Sequence, residues 1–257
     1  MSRALILTYH AVERGSSPLC TEPALLALHL DCIVASCGRV LTVGALADAV
    51  RDGSLPDGAV AITFDDAFAS VAREAAPLLA ERSLVATVFA VAGRLGGRSD
   101  WPSQPAWAPK LPLARAEELA ELAQRGWEIG SHGLDHAVLG GAGPPTLRRE
   151  LVDSRQLLED TVHTTVRAFA YPYGVAPNGS VALLREAGYV AACTTRIDLV
   201  RAGADVFALP RVEAYYLRRP ALLHAVLRGK LDVYLRARDL GARARRLIRK
   251  DYVSPDR

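Results

Sequence analysis

Apolar and polar positions along this chain follow two alternating periods. Short aliphatic and β-branched runs predict strands over 4–9, 39–42, 59–65, 85–91, 127–131, 167–171, 189–194 and 208–214. Between them, apolar residues recur at helical spacing over 22–36, 43–52, 69–82, 115–125, 146–161, 179–187 and 220–250, the last expected to break near Gly241. Gly38, Gly53, Gly126 and Gly188 stand where helices or turns should end. Strands and helices in succession predict βα units and a mostly parallel sheet, and no fixed-period repeat suggests a solenoid. Eight strands and seven helices in 257 residues fit an α/β fold, a distorted barrel of seven or eight βα units.

Composition narrows the class. Half of the residues are apolar, enough for a sizeable core, and no run of about twenty apolar residues predicts a membrane span. The first ten residues turn polar too soon for a secretory signal, so the cytoplasm is the expected location. The four cysteines (Cys20, Cys32, Cys37, Cys193) form no C-x-x-C pair, and Cys32 and Cys37 are expected to be reduced, buried thiols. Between Arg218 and Lys250 lie eleven Lys or Arg against two Asp, a local +9 that leaves the rest of the chain at −6. Residues 1–217 are therefore expected to form the barrel, and 218–257 a basic helical extension packed on it with a solvated outer face. The alternative for such a basic amphipathic helix is contact with an anionic membrane face or a polyanion; no nucleic-acid partner is expected.

One stretch breaks the alternation. Residues 93–112 carry four Pro, three Gly and two Trp with no period, directly after the strand 85–91. Loops that follow strands lie at the catalytic face of a βα barrel. Trp101 and Trp107 can either stack on a sugar ring there or pin the loop to the barrel.

Candidate chemistry sits at the ends of strands. The run Ala59-Val-Ala-Ile-Thr-Phe ends in two adjacent carboxylates, Asp65 and Asp66. Side chains alternate along a strand, so one carboxylate can face a metal while its neighbour faces substrate. The run Glu128-Ile-Gly-Ser ends in His132 and His136, an i, i+4 pair that would reach one ion from a helical turn. One Asp with two His leaves coordination positions open, as a catalytic site requires.

Three segments in this order resemble the polysaccharide deacetylase family, the NodB-type carbohydrate esterases: Thr63-Phe-Asp-Asp66, Ser131-His-Gly-Leu-Asp-His136 and Phe169-Ala-Tyr-Pro-Tyr-Gly174. The resemblance implies a NodB-type barrel in which Asp65 is the catalytic base and Asp66, His132 and His136 hold a divalent ion. Zinc is expected by ligand type, with iron, cobalt or nickel also suited. Tyr171, Pro172 and Tyr173 would form a wall of the substrate groove, and the backbone N–H of Tyr173 would help hold the oxyanion. Departures from the motifs are Ala67 for Gly, Gly133 for Ser or Thr, and Ala170 for the Arg that orients the base. The chain resembles the AYP-type branch with permuted motif order, in which a His near the first strand is the acid; His10 takes that place here, against the alternative that it only caps the strand. Arg211, closing the strand 208–214, is the candidate to replace the missing Arg. His224 lies in an Arg-rich helix and is not expected to be the acid.

The activity implied is removal of an N-acetyl group from an amino sugar in a glycan or glycan precursor. With no export signal visible, that substrate is expected in the cytoplasm. If the basic helix is not simply a solvated face, it would sit at the inner membrane face or grip a negatively charged phosphate-linked substrate. Alternatives are a deformylase or amidase acting on a small intermediate, and a non-catalytic carbohydrate-binding relative. An open groove would imply a polymer and a lid a small molecule.

Overall fold

The computed structural model describes residues 2–36, 38–230 and 232–248; Cys37 and the last positions of the expected C-terminal helix lie outside them. The chain runs β1 (Arg3–Tyr9), β2 (Ala11–Val12), β3 (Cys20–Thr21), α1 (Pro23–Ser36), α2 (Val43–Arg51), β4 (Ala59–Phe64), α3 (Ala76–Ala80), β5 (Thr87–Ala90), α4 (Ala116–Gln124), β6 (Glu128–Ser131), α5 (Pro144–Arg148), α6 (Ser154–Val162), β7 (Ala168–Ala170), α7 (Ser180–Ala187), β8 (Ala191–Cys193), β9 (Val200–Arg201), β10 (Val212–Glu213), α8 (Pro220–Leu227) and α9 (Asp232–Ile248). One-turn π segments precede α3 and α6.

The main sheet has the order β10-β1-β4-β5-β6-β7-β8 with all neighbours parallel, and β9 pairs antiparallel with β1. One segment touches both ends of this sheet. Leu209 bridges Cys193 at the end of β8, and three residues later Val212 pairs with Leu7 of β1. The sheet therefore closes into a distorted barrel, and Arg211 sits on the closing segment between the two contacts.

Small residues on the inward faces let that barrel close. Ala4, Ala59, Ala61, Ala168, Ala170 and Ala191 share an interior core with Ile6, Phe89 and α2. That helix plugs the end at which the strands begin: Val43 N–H donates to Thr87 Oγ1 (2.9 Å) and Gly44 N–H to the half-buried Glu128 carboxylate (3.0 Å). The carboxylate satisfies orphan donors of the helix start and suits its dipole. A second, larger core lies between strands and outer helices, and Leu223, Val226 and Leu235 of α8 and α9 belong to it.

Two expected elements and one expected buried thiol differ. The run 39–42 makes a single parallel bridge, Val40 to Val60, because it passes the sheet only to cap α2 through Thr42. The C-terminal helix breaks at Gly229 (φ +69°), not at Gly241, which lies inside α9. Cys32 is half-buried rather than buried. No described helix is long and apolar enough to cross a membrane.

Candidate active site

Every candidate residue but one reaches a single cavity at the end where the strands finish. Its walls carry His10, Asp65, Asp66, Trp101, Trp107, His132, His136, Tyr171, Tyr173 and Arg211, around a volume of about 160 Å³. Pro172 is the exception: it is buried behind the wall and does not line the cavity. Tyr171 touches the cavity, but its ring is fully buried against Phe169.

The two aspartates separate at a turn. After β4 the backbone enters the left-handed region at Asp66 (φ +67°) and stays there at Ala67 (φ +53°). The division between the carboxylates comes from this turn, not from strand alternation, since β4 ends at Phe64. Ala67 holds the conformation that the Gly of the family motif adopts without strain. His136 (φ +57°) and Tyr173 (φ +59°) are also left-handed, so three of the six described non-glycine residues with positive φ line the cavity, and Ala67 adjoins one of them. Such strain persists where surrounding structure over-determines it.

Asp65 is clamped. Arg211 donates Nη1 to Oδ1 at 2.7 Å and Nη2 to Oδ2 at 2.8 Å, and its Nε donates to the Thr194 carbonyl. Burial alone would raise the Asp65 pKa, but Arg211, with help from His132 and His10, holds it well below the usual carboxylate range. Asp66 has no such partner: its Oδ1 is buried without a hydrogen bond, and burial pushes its pKa up. Nε2 of His132 and Nε2 of His136 each lie 3.5 Å from that oxygen.

Asp66, His132 and His136 offer ligand atoms within 4.8 Å of one another. His132 Nδ1 donates to the Ala170 carbonyl at 2.7 Å, which orients the ring with Nε2 turned to Asp66. Burial, and then His132, push the His136 pKa well below its ordinary value, so its imidazole is neutral. Two imidazoles and an orphaned carboxylate oxygen converging on one point could hold a divalent ion in a mixed N/O site.

These histidines are not on a helix. His132 follows β6 directly, and 133–136 is a loop that turns at Gly133 (φ +87°). Glu150, buried on the π segment before α6, braces this loop. Its Oε2 accepts from Leu134 N–H (2.9 Å) and its Oε1 from Asp135 N–H (3.2 Å). A Cβ at position 133 would collide with Glu150 Oε2, so glycine there makes room for the carboxylate. Ser131 accepts from Gly133 N–H and bonds Ser154 one turn beyond Glu150. Glu150 is absent from the expectations above, though a charge on the apolar face shared by Leu147, Leu151, Ser154 and Leu158 was a signal for it.

His10, just after β1, faces Glu213 at 3.7 Å. Burial lowers its pKa, but Glu213, Asp66 and Asp65 outweigh this and leave it raised. Glu213 was also missed; its signal is the period-2 alternation from Arg211 along the closing strand.

The segment 93–112 forms one wall of the cavity through Trp101, Gln104, Pro105, Trp107 and Ala108. Trp101 stacks on His136 with ring centroids 4.3 Å apart, Ser103 Oγ donates to the His136 carbonyl, and Tyr173 OH donates to Ser103 O at 2.9 Å. Trp101 is thus buried in packing, whereas Trp107 is 49% exposed.

A closed βα barrel with this cluster where its strands end has the architecture of the NodB-type deacetylases. A family model for polysaccharide deacetylases matches residues 52–192; the chain belongs to that family. Among curated relatives, YxkH of Bacillus subtilis, whose description carries the same family name, is 26% identical over 208 residues, covering 80% of this chain and 70% of YxkH. A poly-beta-1,6-N-acetyl-D-glucosamine N-deacetylase of Staphylococcus aureus is 23% identical over 171 residues, 63% of this chain and 56% of that protein. Of solved structures, IcaB from Ammonifex degensii superimposes with a TM-score of 0.72 at 25% identity, covering 88% of this chain and 98% of IcaB. Streptococcus pyogenes deacetylase PplD gives 0.70 at 23%, covering 82% and 92%.

Proposed function

We propose that this chain is a metal-dependent N-deacetylase of an N-acetylated amino sugar. The observation that carries the proposal is the convergence of His132 Nε2 and His136 Nε2 on the unpartnered Asp66 Oδ1, beside a second carboxylate clamped by Arg211. The staphylococcal relative, described as acting on poly-N-acetylglucosamine, supports the substrate class.

A divalent ion held by Asp66, His132 and His136 would lower the pKa of a water toward about 7 and polarise the acyl oxygen. Asp65 takes the proton from the attacking water. Its clamp by Arg211 keeps it ionised at every working pH, at a cost in basicity that the more acidic water offsets. The water oxygen bonds to the acyl carbon, and the backbone N–H of Tyr173 donates to the developing oxyanion, a contribution typically worth about 3 kcal/mol. His10, whose protonated form Glu213 and the aspartates favour against burial, gives its proton to the amine as the C–N bond breaks. The products are acetate and a free amino sugar.

The test is elemental analysis of the purified protein combined with acetate release from N-acetylglucosamine oligomers. Asp65→Asn is expected to keep the metal and lose turnover by about 10³-fold or more, whereas His132→Ala loses both. Full turnover by Asp65→Asn, or unaltered metal content in His132→Ala, would remove the assignment.

A further inference from the structure

The segment 93–112 gives the cavity one feature that catalysis does not use. Of the three tryptophans, Trp101 and Trp127 are 5% and 6% exposed, but Trp107 keeps 49% of its surface in water. Its backbone is nonetheless fixed. Prolines flank it at 105 and 109, Ala108 N–H donates to the Pro105 carbonyl (2.9 Å), and Ser99 Oγ and Gln104 Nε2 both donate to the Pro109 carbonyl (3.1 and 2.9 Å). A rigid turn thus presents an indole face to solvent.

That face stands between two spaces. On one side is the cavity of about 160 Å³ over the Asp66, His132 and His136 cluster. On the other, Trp107 and Pro109 form one wall of an open groove of about 660 Å³, whose opposite wall is the polar shelf of Arg14, Ser16 and Ser17. Trp107 lines both spaces, and the adjacent residues Leu19 and Cys20 line the cavity and the groove respectively.

Resting on the deacetylase assignment above, we infer that Trp107 is a stacking platform for the sugar next to the one that reacts. The substrate is then an oligosaccharide or glycan chain end of at least two units. The reacting sugar enters the cavity, its neighbour lays its C–H face on Trp107, and further units follow the open groove along the shelf at Arg14. An indole is suited to this, being apolar across its face and locked before the ligand arrives, so that little ordering entropy is lost on binding. Arg14, Ser16 and Ser17 supply donors for hydroxyl groups along the shelf.

The experiment is steady-state acetate release by the zinc-loaded full chain from the mono-, di- and trisaccharide of N-acetylglucosamine. In the wild type, kcat/KM should rise about tenfold from the mono- to the trisaccharide, chiefly through KM, as expected for one aromatic stack. Trp107→Ala should abolish most of that ratio, and Trp107→Phe should retain most of it. Equal kcat/KM at all lengths in the wild type would overturn the platform while leaving the deacetylase assignment intact, as would a Trp107→Ala loss identical for mono- and trisaccharide. Acetate release at no length would remove the deacetylase assignment and this inference with it.

Discussion

Asp65 and Asp66 are neighbours in sequence, both almost fully buried, and electrostatically opposite. Asp65 has two short bonds to a guanidinium, and its charge is satisfied within the fold. Asp66 has an oxygen with no donor at all, and burial works against its charge. The fold completes one carboxylate and leaves the other incomplete. A buried polar atom without a partner is costly unless something outside the chain completes it. The incomplete carboxylate faces two imidazoles whose Nε2 atoms both lie 3.5 Å from its bare oxygen, and this is why we propose it as the ligand and the completed one as the group that handles protons.

The sharpest way to break this contrast is to remove each partner in turn and measure stability without metal. Arg211→Met leaves the Asp65 charge buried and unpaired, and should lower the free energy of unfolding by about 3–5 kcal/mol. Asp66→Asn removes a charge that the fold leaves uncompensated, and the metal-free variant should unfold at the wild-type denaturant midpoint or above it. Chemical denaturation of both variants with chelator present decides the matter. A large loss in Asp66→Asn, or none in Arg211→Met, would dissolve the distinction.

Much of this site was legible in the chain because its parts sit where strands end. Thr63-Phe-Asp-Asp66, the histidine pair and Tyr-Pro-Tyr-Gly174 each follow an apolar run that a parallel barrel must bring to one face. All three fall within the span that the family model matches, whereas His10, Arg211 and Glu213 lie outside it. Arg211 was nonetheless placed, because Leu-Pro-Arg closes a strand; that its strand also closes the barrel depends on register between β8 and β1, which no local pattern encodes. The i, i+4 histidine spacing suggested a helix, but Gly133 permits the left-handed turn that a helix excludes. Glu150 was hidden because its partners are backbone N–H groups, which every residue has.

His29 extends the same comparison to a titratable group far from the cavity. Buried on α1, with Nδ1 2.9 Å from Tyr9 OH, it has its pKa pushed down to about 4, chiefly by burial and against a smaller opposing pull from the Leu217 carbonyl. Unfolded, this histidine binds its proton near pH 6.5; folded, it does so only near 4. Its contribution is therefore intact above about pH 6.5, is lost as pH falls from 6.5 to 4, and levels off below. The full loss is about 3 kcal/mol. In His29→Gln the difference from wild type should change with pH only in that window, as read from denaturant midpoints between pH 4 and 8. Parallel curves would show that burial at His29 costs the charged form nothing.

The smallest effect, and the one closest to the ligand cluster, concerns Glu150. Asp65 is completed by a charge; the loop that carries His136 is completed by a carboxylate that accepts from two successive N–H groups. If Glu150 sets where His136 stands, removing it should weaken the ion site without dismantling the barrel, because neither core cluster includes it. Partners one shell out from metal ligands typically contribute 10–100-fold in affinity. Glu150→Ala should therefore raise the zinc dissociation constant, measured by competition with a chromophoric chelator, by about that factor. Glu150→Gln keeps one acceptor oxygen but turns a donor toward donors, and should fall between the two. Gly133→Ala should mimic Glu150→Ala with the carboxylate still present, since its methyl group would occupy the space of Oε2 and its φ of +87° is one alanine resists. Zinc affinity unchanged in Glu150→Ala would show that His132 and the strand end hold the site by themselves, and that the brace serves the loop alone.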